Sequence, residues 1–253
     1  MPLKTEFDPR LAVVLRSWWN DGVSHDGRAR TVWRFLTLLW NFVRASTPEQ
    51  RRRRYGDAEY DWQYRVNTTS ATVGWRERLL GQFLSPYQAT EPALFCEMLE
   101  RLKINFHEFT FIDLGSGKGR ALLMAADFPF RRILGVEVLP SLHRVAQENI
   151  RQYKSDSQKC FAVQSLWGDA RNFAFPPEPT VLYLFNPLPE PALAEVVARL
   201  EKSLRKHPRA LYVLYHNPLL EVLVTRSRAF EKIGSTHQYS IYAAASPGPL
   251  LTH

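Results

Sequence analysis

Short apolar segments alternate with amphipathic ones from residue 92 to residue 244, and this alternation restricts the fold more than any other feature of the sequence. Short apolar runs are typical of buried strands, and the segments between them repeat at helical spacing. Strands separated by helices favour a mostly parallel sheet that is covered on both faces. The predicted strands cover residues 110–114, 132–138, 161–165, 180–185, 210–215, 230–233 and 239–244.

The connections in this region agree with such a sheet. Predicted helices cover residues 92–102, 119–128, 141–153, 190–206 and 219–229. The last two strands are joined by only a few residues, whereas a parallel crossover needs about a dozen, so this pair is expected to be antiparallel. The sequence therefore predicts an α/β fold with a doubly wound, mostly parallel, seven-stranded sheet.

Residues 1–85 lack the alternation and are predicted to form a helical N-terminal cap or extension, followed by a sheet domain at residues 86–253. Helices are predicted over residues 9–19 and 30–45, with a loop at residues 21–27. The apolar stripe of the second helix is expected to be core, packed against the sheet or a partner subunit rather than against a membrane surface. That stripe includes Val32, Leu36, Leu39 and Val43.

The charge is uneven along the chain. The net charge is +8 at pH 7, and 14 basic against 9 acidic residues before residue 86 supply +5 of it. The run Arg51-Arg52-Arg53-Arg54 lies in this part, and a solvated run is its ordinary interpretation. A basic excess permits an acidic partner such as RNA without identifying one.

Cysteine content and hydropathy indicate the compartment. Cys96 and Cys160 form neither a disulfide framework nor the paired spacing of a zinc site, so no metal is expected and a reducing compartment is indicated. No apolar stretch approaches the roughly 18 residues that a transmembrane helix needs, and the N-terminus lacks the apolar run of a signal peptide. A cytoplasmic location is therefore expected.

The segment Asp113-Leu114-Gly115-Ser116-Gly117-Lys118-Gly119-Arg120 follows the first predicted strand and precedes a helix. Its glycines allow a sharp turn and a close approach of the backbone to a ligand. A dinucleotide fingerprint needs Gly or Ala at position 120, and a Walker loop needs Gly-Lys-Ser/Thr, so neither motif is present. Asp113 would repel phosphate and favours a ligand with a positive head. The side chains of Lys118 and Arg120 are expected to extend into solvent.

Polar residues also lie at the ends of the next three predicted strands. Glu137 can accept hydrogen bonds from ribose hydroxyls, Asp169 can accept from an adenine amino group, and Asn186 follows the fourth strand. Together with Asp113 they converge on one crevice at the carboxyl ends of the strands. The alternative that Glu137 and Asp169 are helix caps or solvated acids stays open.

The segment from about Tyr87 to Ala244 resembles class I S-adenosylmethionine-dependent methyltransferases, which have a Rossmann-like fold. The motifs that carry the resemblance are residues 113–119, 135–138, 168–170 and 185–188. It implies S-adenosylmethionine as cofactor, with Asp113 near the methionine amino group, Glu137 on the ribose and Asp169 facing adenine. The cofactor-binding residues that it implies are Asp113, Gly115, Ser116, Gly117, Glu137, Asp169, Ala170 and Asn186.

Two shorter elements resemble a narrower group. Tyr87-Gln88-Ala89-Thr90 is similar to the Tyr-x-x-Thr element of bacterial methyltransferases related to the ATP-synthase c-subunit type of lysine methyltransferase and, more distantly, to Dot1-like enzymes. This implies that Tyr87 and Thr90 close over the methionine end, and it favours a protein lysine or other amine as acceptor. The segment Tyr215-His216-Asn217-Pro218 also resembles an element of this bacterial group. Leu188 and Pro189 depart from the Asn/Asp-Pro-Pro-Tyr/Phe signature, which weakens methylation of a planar nitrogen.

Methyl transfer is an in-line displacement that depends mainly on orientation. Asn186 could orient an amine, and His216 could take a proton if the acceptor arrives as an ammonium, although a loop histidine bonded to the backbone is the commoner situation. Tyr87 and Phe185 could line the methyl pocket. The predicted function is amine methylation. The alternatives are an RNA methyltransferase that uses the basic N-terminal region and a non-catalytic cofactor-binding module.

Overall fold

The computed structural model describes residues 9–44, 58–69, 79, 88–186 and 188–245. Most of the described residues fall into two compact units, one with the first two helices and the other with residues 58–69 and 89–245. The helices are α1 Pro9–Asp26, α2 Arg28–Arg44, α3 Ala58–Tyr64, α4 Pro92–Glu100, α5 Arg120–Ala125, α6 Pro140–Gln152, α7 Glu190–Lys206 and α8 Glu221–Thr225, and short 3-10 turns lie at Phe106–Glu108 and Ala170–Asn172. The strands are β1 Thr110–Leu114, β2 Arg132–Glu137, β3 Val163–Trp167, β4 Thr180–Phe185, β5 Leu211–His216, β6 Phe230–Ser235 and β7 Tyr239–Ala244.

The sheet has seven strands in the order β3-β2-β1-β4-β5-β7-β6. The first five strands are parallel, and β7 is antiparallel to both β5 and β6. This confirms the predicted doubly wound, mostly parallel, seven-stranded α/β fold and its antiparallel final pair. The third strand begins at Val163 instead of residue 161, because pairing with β2 begins at Ile133 and Val163 while Phe161 stays exposed.

The strand order positions a crevice. The chain proceeds outward from β1 through β2 to β3 and then returns to the other side of β1 to form β4. Ligands of doubly wound sheets bind at such a reversal, outside the carboxyl ends of the strands. All five residues of β1 are buried, and apolar core residues cover both faces of the sheet, so the strand ends are held in fixed positions.

The first two helices form a close hairpin. Helix α1 continues through the residues predicted as a loop and ends at Asp26, before Gly27 with φ +79°, so the loop prediction is wrong. The hairpin is close because a Cβ on Gly22 would lie 2.9 Å from the methyl carbon of Thr31. The rings of Trp18 and Phe35 lie 6.3 Å apart.

The stripe predicted as core in α2 is exposed. Val32, Leu36, Leu39 and Val43 expose 44%, 59%, 37% and 62% of their surface. Helix α2 turns another side toward α1, the side of Thr31 and Phe35, and packing of the stripe against a partner subunit stays a prediction. No helix among residues 9–44, 58–69, 88–186 and 188–245 combines the length and apolar character that a bilayer-spanning helix needs.

Helix α3 and the extended residues after it pack in the same compact unit as the sheet. They precede the domain boundary expected near residue 86, and Tyr60 and Tyr64 pack against the apolar core of the sheet. The division of the chain at residue 85 stays a prediction.

Candidate active site

The turn between β1 and α5 folds back over β2. Gly115, Gly117 and Gly119 have φ of +77°, +53° and +85°, the region that glycine adopts without strain. The backbone N–H groups of Gly115 and Ser116 donate to the carbonyl oxygen of Val136 at 2.8 and 3.1 Å. These bonds hold the turn beside the end of β2, and we call residues 115–119 the glycine loop.

Two carboxyl groups meet beside the glycine loop. Asp113 and Glu137 expose 4% and 5% of their surface on adjacent strands. Burial is the larger cause and the nearby Glu137 the smaller one of a rise in the pKa of Asp113 to about 8. Burial also raises the pKa of Glu137, although the backbone N–H groups of Gly117 and Leu139 oppose this by donating to its oxygens at 2.8 and 2.7 Å. Ionisation of both carboxyl groups in this buried place is unfavourable, so the pair favours a cationic ligand.

Gly135 of β2 lies beneath the glycine loop. A Cβ at this position would lie 2.6 Å from both the Ser116 hydroxyl oxygen and a methyl carbon of Leu122. The Ser116 hydroxyl is buried and has no hydrogen-bond partner among the described residues. The glycine loop can therefore lie this close to β2 only because residue 135 is a glycine and has no Cβ.

We expect Gly135→Ala to lower the free energy of unfolding by about 1–3 kcal/mol, since the added methyl overpacks the loop against β2. Urea denaturation measures this change. Gly234→Ala is the matched control, because a Cβ on Gly234 meets no atom within 4 Å. Equal stability of the two variants would contradict this packing.

The structure places Asp169 and Ala170 just beyond β3. The Asp169 carboxylate caps the short 3-10 turn by accepting from the Arg171 backbone N–H at 2.9 Å, and it also pairs with the Arg171 side chain at 2.7 Å. Burial alone would raise the pKa of Asp169, but Arg171 lowers it below its usual value. Ala170 is buried. The helix-cap interpretation is therefore realised, and adenine recognition by these residues stays a prediction.

Asn186 and His216 lie at the ends of β4 and β5. Asn186 adopts a left-handed backbone conformation with φ +43°. The His216 ring stacks on Phe185, with centroids 3.9 Å apart and an interplanar angle of 16°. Only 8% of His216 is exposed, and burial lowers its pKa to about 4, so the imidazole is neutral at physiological pH.

A buried hydrogen-bond chain reaches His216 from the upstream segment. The Tyr183 hydroxyl lies 2.9 Å from His216 Nδ1 and 2.9 Å from the Thr90 hydroxyl. Burial raises the pKa of Tyr183 well above its usual value, so its hydroxyl keeps its proton and can donate to the neutral imidazole. Thr90 thus bonds to a core tyrosine, while Tyr87 lies outside the described residues.

Lys118 and Arg120 are buried, so the prediction that they extend into solvent is wrong. They expose only 2% and 3% of their surface. The Lys118 ammonium donates to the Thr69 carbonyl oxygen at 2.8 Å and to the Asn67 side-chain oxygen at 3.1 Å. Residues 67–69, which we call the strap, supply these acceptors and thereby satisfy the charge.

The strap is fixed at further points. Arg120 Nε donates to the Thr68 hydroxyl at 2.7 Å, and its Nη2 lies 3.5 Å from Asp61 Oδ1. Asp61, 6% exposed, accepts from the backbone N–H groups of Thr68 and Thr69, both at 2.7 Å, and from the Thr68 hydroxyl.

Asn149 of α6 is a further attachment point of the strap. Its side-chain oxygen accepts from the Asn67 backbone N–H at 2.8 Å, and its Nδ2 donates to the carbonyl oxygens of Asn67 and Lys118, both at 2.9 Å. A polar network of the strap, Asp61 and Asn149 thus holds the glycine loop. No local motif indicates this network, since its residues lie far apart in sequence.

A family model for the histone methylation protein DOT1 matches residues 84–168. The match begins ahead of Thr90, includes the glycine loop and Glu137, and ends before Asp169 and β4. No curated protein sequence matches the chain.

Solved structures with a similar fold include three methyltransferases. An RNA methyltransferase from Salinibacter ruber in complex with S-adenosyl-L-homocysteine is 19% identical, with a TM-score of 0.41, and the match covers 66% of this chain and 98% of that chain. A ribosomal protein L11 methylase from Lactobacillus delbrueckii subsp. bulgaricus is 14% identical, with a TM-score of 0.44 and coverage of 64% and 83%. The glycopeptide N-methyltransferase MtfA with S-adenosyl-L-homocysteine is 13% identical, with a TM-score of 0.48 and coverage of 64% and 92%. Similarity at this level carries no information about substrate.

The family match and the sheet order confirm the resemblance to class I methyltransferases. The narrower bacterial group with the Tyr-x-x-Thr element stays a prediction.

Proposed function

We propose that the chain is an S-adenosylmethionine-dependent methyltransferase that acts on an amine, with a protein lysine as the favoured acceptor. The observation that carries the proposal is the buried pair Asp113 and Glu137 beside the glycine loop. Two carboxyl groups in one low-dielectric site favour a cation, and the cofactor carries both an ammonium and a sulfonium. A phosphate-bearing cofactor would meet repulsion at the same place.

The residues present fit this cofactor, which supplies an activated methyl group when it is bound. Asp113 would hold the methionine ammonium, and the turn at Gly115 and Gly117 would allow the backbone to lie close to the methionine end. Glu137 would accept from the ribose hydroxyls, because each carboxylate oxygen can accept a further hydrogen bond beside those from Gly117 and Leu139. Asp169 and Ala170 would border the adenine.

The acceptor would be oriented by the ends of β4 and β5. Asn186 is proposed to accept a hydrogen bond from the amine and to hold it in line with the methyl group. His216 is neutral and is bonded to Tyr183, so its low pKa favours a positioning role through the Phe185 ring over removal of a proton from an ammonium. The description of the matched family as a histone methylation protein supports a protein acceptor.

Asn186→Gly tests the proposed role of the amide. Glycine accepts the φ of +43° without strain, so the substitution removes the side chain and leaves the backbone conformation available. We expect the methyl-transfer rate at saturating cofactor to fall on the order of 100-fold, the usual effect of losing one orienting polar group. Lys103→Gly, at an exposed residue with φ +47°, is the matched control and should keep the wild-type rate.

Two measurements test the function itself. Calorimetry with S-adenosylhomocysteine should show binding, and its absence would overturn the cofactor assignment. Transfer of labelled methyl groups to a lysate, followed by separate protease and nuclease digestion, identifies the acceptor. A label removed only by nuclease would replace the amine proposal with an RNA methyltransferase, and cofactor binding with no transfer to any lysate component would favour a non-catalytic module.

A further inference from the structure

Helix α2 carries an apolar face that the hairpin does not cover. Six large side chains form it, and we call them the exposed face: Val32, Trp33, Leu36, Leu39, Trp40 and Val43. Their spacing of one, four, seven, eight and eleven residues from the first places them on one side of the helix. The two tryptophans are the most exposed members, at 71% and 68%. A continuous apolar face of this size on a surface helix indicates a binding surface.

The charges of the same helix identify the occupant. Helix α2 contains four arginines, Arg28, Arg30, Arg34 and Arg44, and no acidic residue. At 100° per residue, Arg28 and Arg44 border the exposed face, and Arg30 and Arg34 lie on the polar side. A symmetric contact between two copies of α2 would place these arginines against one another. An apolar face that carries tryptophan and has arginine at its borders instead fits the interface of an anionic bilayer, where indoles lie at the headgroup level and arginines meet lipid phosphates.

We propose that α2 lies in the plane of an anionic membrane surface, with its exposed face inserted among the lipid headgroups. Charge on the helix opposes insertion across the bilayer, since three arginines lie within its first seven residues and a fourth is its last residue. Binding depends on both apolar insertion and phosphate contacts, so it requires anionic lipid and weakens with salt. The proposal is independent of the cofactor and of the methyl acceptor.

Co-sedimentation of the full chain with vesicles tests the proposal. Vesicles of phosphatidylcholine with about 30% phosphatidylglycerol, roughly the composition of a moderately anionic bilayer, are compared with vesicles of phosphatidylcholine alone. We expect binding only to the anionic vesicles, with a blue shift of tryptophan emission. Trp33→Ala combined with Trp40→Ala should weaken binding by roughly tenfold or more, because it removes the two largest inserted side chains. Arg28→Gln combined with Arg44→Gln should weaken it by roughly fivefold for each arginine, because these two border the exposed face.

The matched control is Trp62→Ala, which removes a tryptophan that is 83% exposed and lies on α3. It should bind vesicles like the wild type, and unchanged circular dichroism of all variants shows that they fold. Failure of the wild type to sediment with anionic vesicles would overturn the proposal, as would an equal loss of binding in the Trp62 variant. If the chain instead forms dimers that the double tryptophan variant abolishes and no vesicle binding is seen, the exposed face is a self-association surface.

Discussion

Replacing Asp113 with asparagine is expected to weaken S-adenosylhomocysteine binding on the order of 100-fold at pH 8.5. The variant keeps the shape of the side chain but loses the charge that would face the ligand ammonium, and a buried hydrogen bond to a charged group contributes about 1.5–3 kcal/mol. Isothermal calorimetry measures the effect. Asp156→Asn, which alters an exposed aspartate, is the control and should bind like the wild type.

The pH dependence of binding tests the same residue in a second way. Because the pKa of Asp113 is about 8 in the ligand-free protein, a cationic ligand must displace its proton at lower pH. Affinity should therefore rise between pH 6 and pH 8, by at most about tenfold per pH unit. Calorimetry in buffers with different ionisation enthalpies should detect the released proton. The Asp113→Asn variant should lack this proton release, and an unchanged pH slope in the variant would contradict the assignment.

The raised pKa also has a consequence for stability. Between the usual pKa of aspartate, 3.8, and the folded-state value of about 8, the folded protein holds a proton at Asp113 that the unfolded chain has lost. The contribution of this residue to the free energy of unfolding therefore decreases as the pH rises through this window. In Asp113→Asn this contribution is absent, so the stability of the variant should decline less between pH 5 and pH 8 when both are followed by urea denaturation.

Asp61→Ala is expected to lower the free energy of unfolding by about 3–5 kcal/mol, the usual cost of removing one partner of a buried ion pair. The substitution leaves the Arg120 guanidinium, 3% exposed, without its carboxylate. It also removes the acceptor for the backbone N–H groups of Thr68 and Thr69. Urea denaturation measures the change. Glu59→Ala alters an exposed acid of the same helix and should stay within about 0.5 kcal/mol of the wild type.

A double-mutant cycle separates the ion pair from general disruption of the strap. If Asp61 and Arg120 stabilise the fold together, Asp61→Ala combined with Arg120→Ala should cost clearly less than the sum of the single substitutions. Strict additivity would show that the two residues act independently. A loss of less than 1 kcal/mol for Asp61→Ala alone would contradict a structural role for the network.

The central strands could be predicted from the sequence because their signals are local. The bounds of β1, β4 and β7 agree with the prediction, since each is a short apolar run between polar or turn-forming residues. The edge strand β3 begins two residues later than the sequence predicts, because an edge strand is less buried and its apolar pattern does not fix the first paired residue. The crevice acids could be placed for the same local reason, as each lies at or just beyond the carboxyl end of a strand.

The strap could not be predicted, because its energetics depend on contacts between distant parts of the chain. The pattern around Lys118 and Arg120 indicates exposed cations, whereas in the fold both are buried against acceptors of residues 67–69, about 50 positions away in sequence. The periodicity of α2 likewise predicts the apolar side that forms the exposed face, but it does not predict whether anything covers that side.

The strap has a consequence for the order in which the protein matures during synthesis. Its residues leave the ribosome first, whereas the Lys118 ammonium that bonds to Thr69 follows 49 positions later and the Asn149 amide that bonds to Asn67 follows 82 positions later. The nascent strap therefore lacks these hydrogen-bond partners while the first strands of the sheet are synthesised. The glycine loop acquires all of its hydrogen-bonded support only after α6 has been translated. A chain arrested before Asn149 should therefore lack a formed glycine loop, even though every residue of the loop is already present.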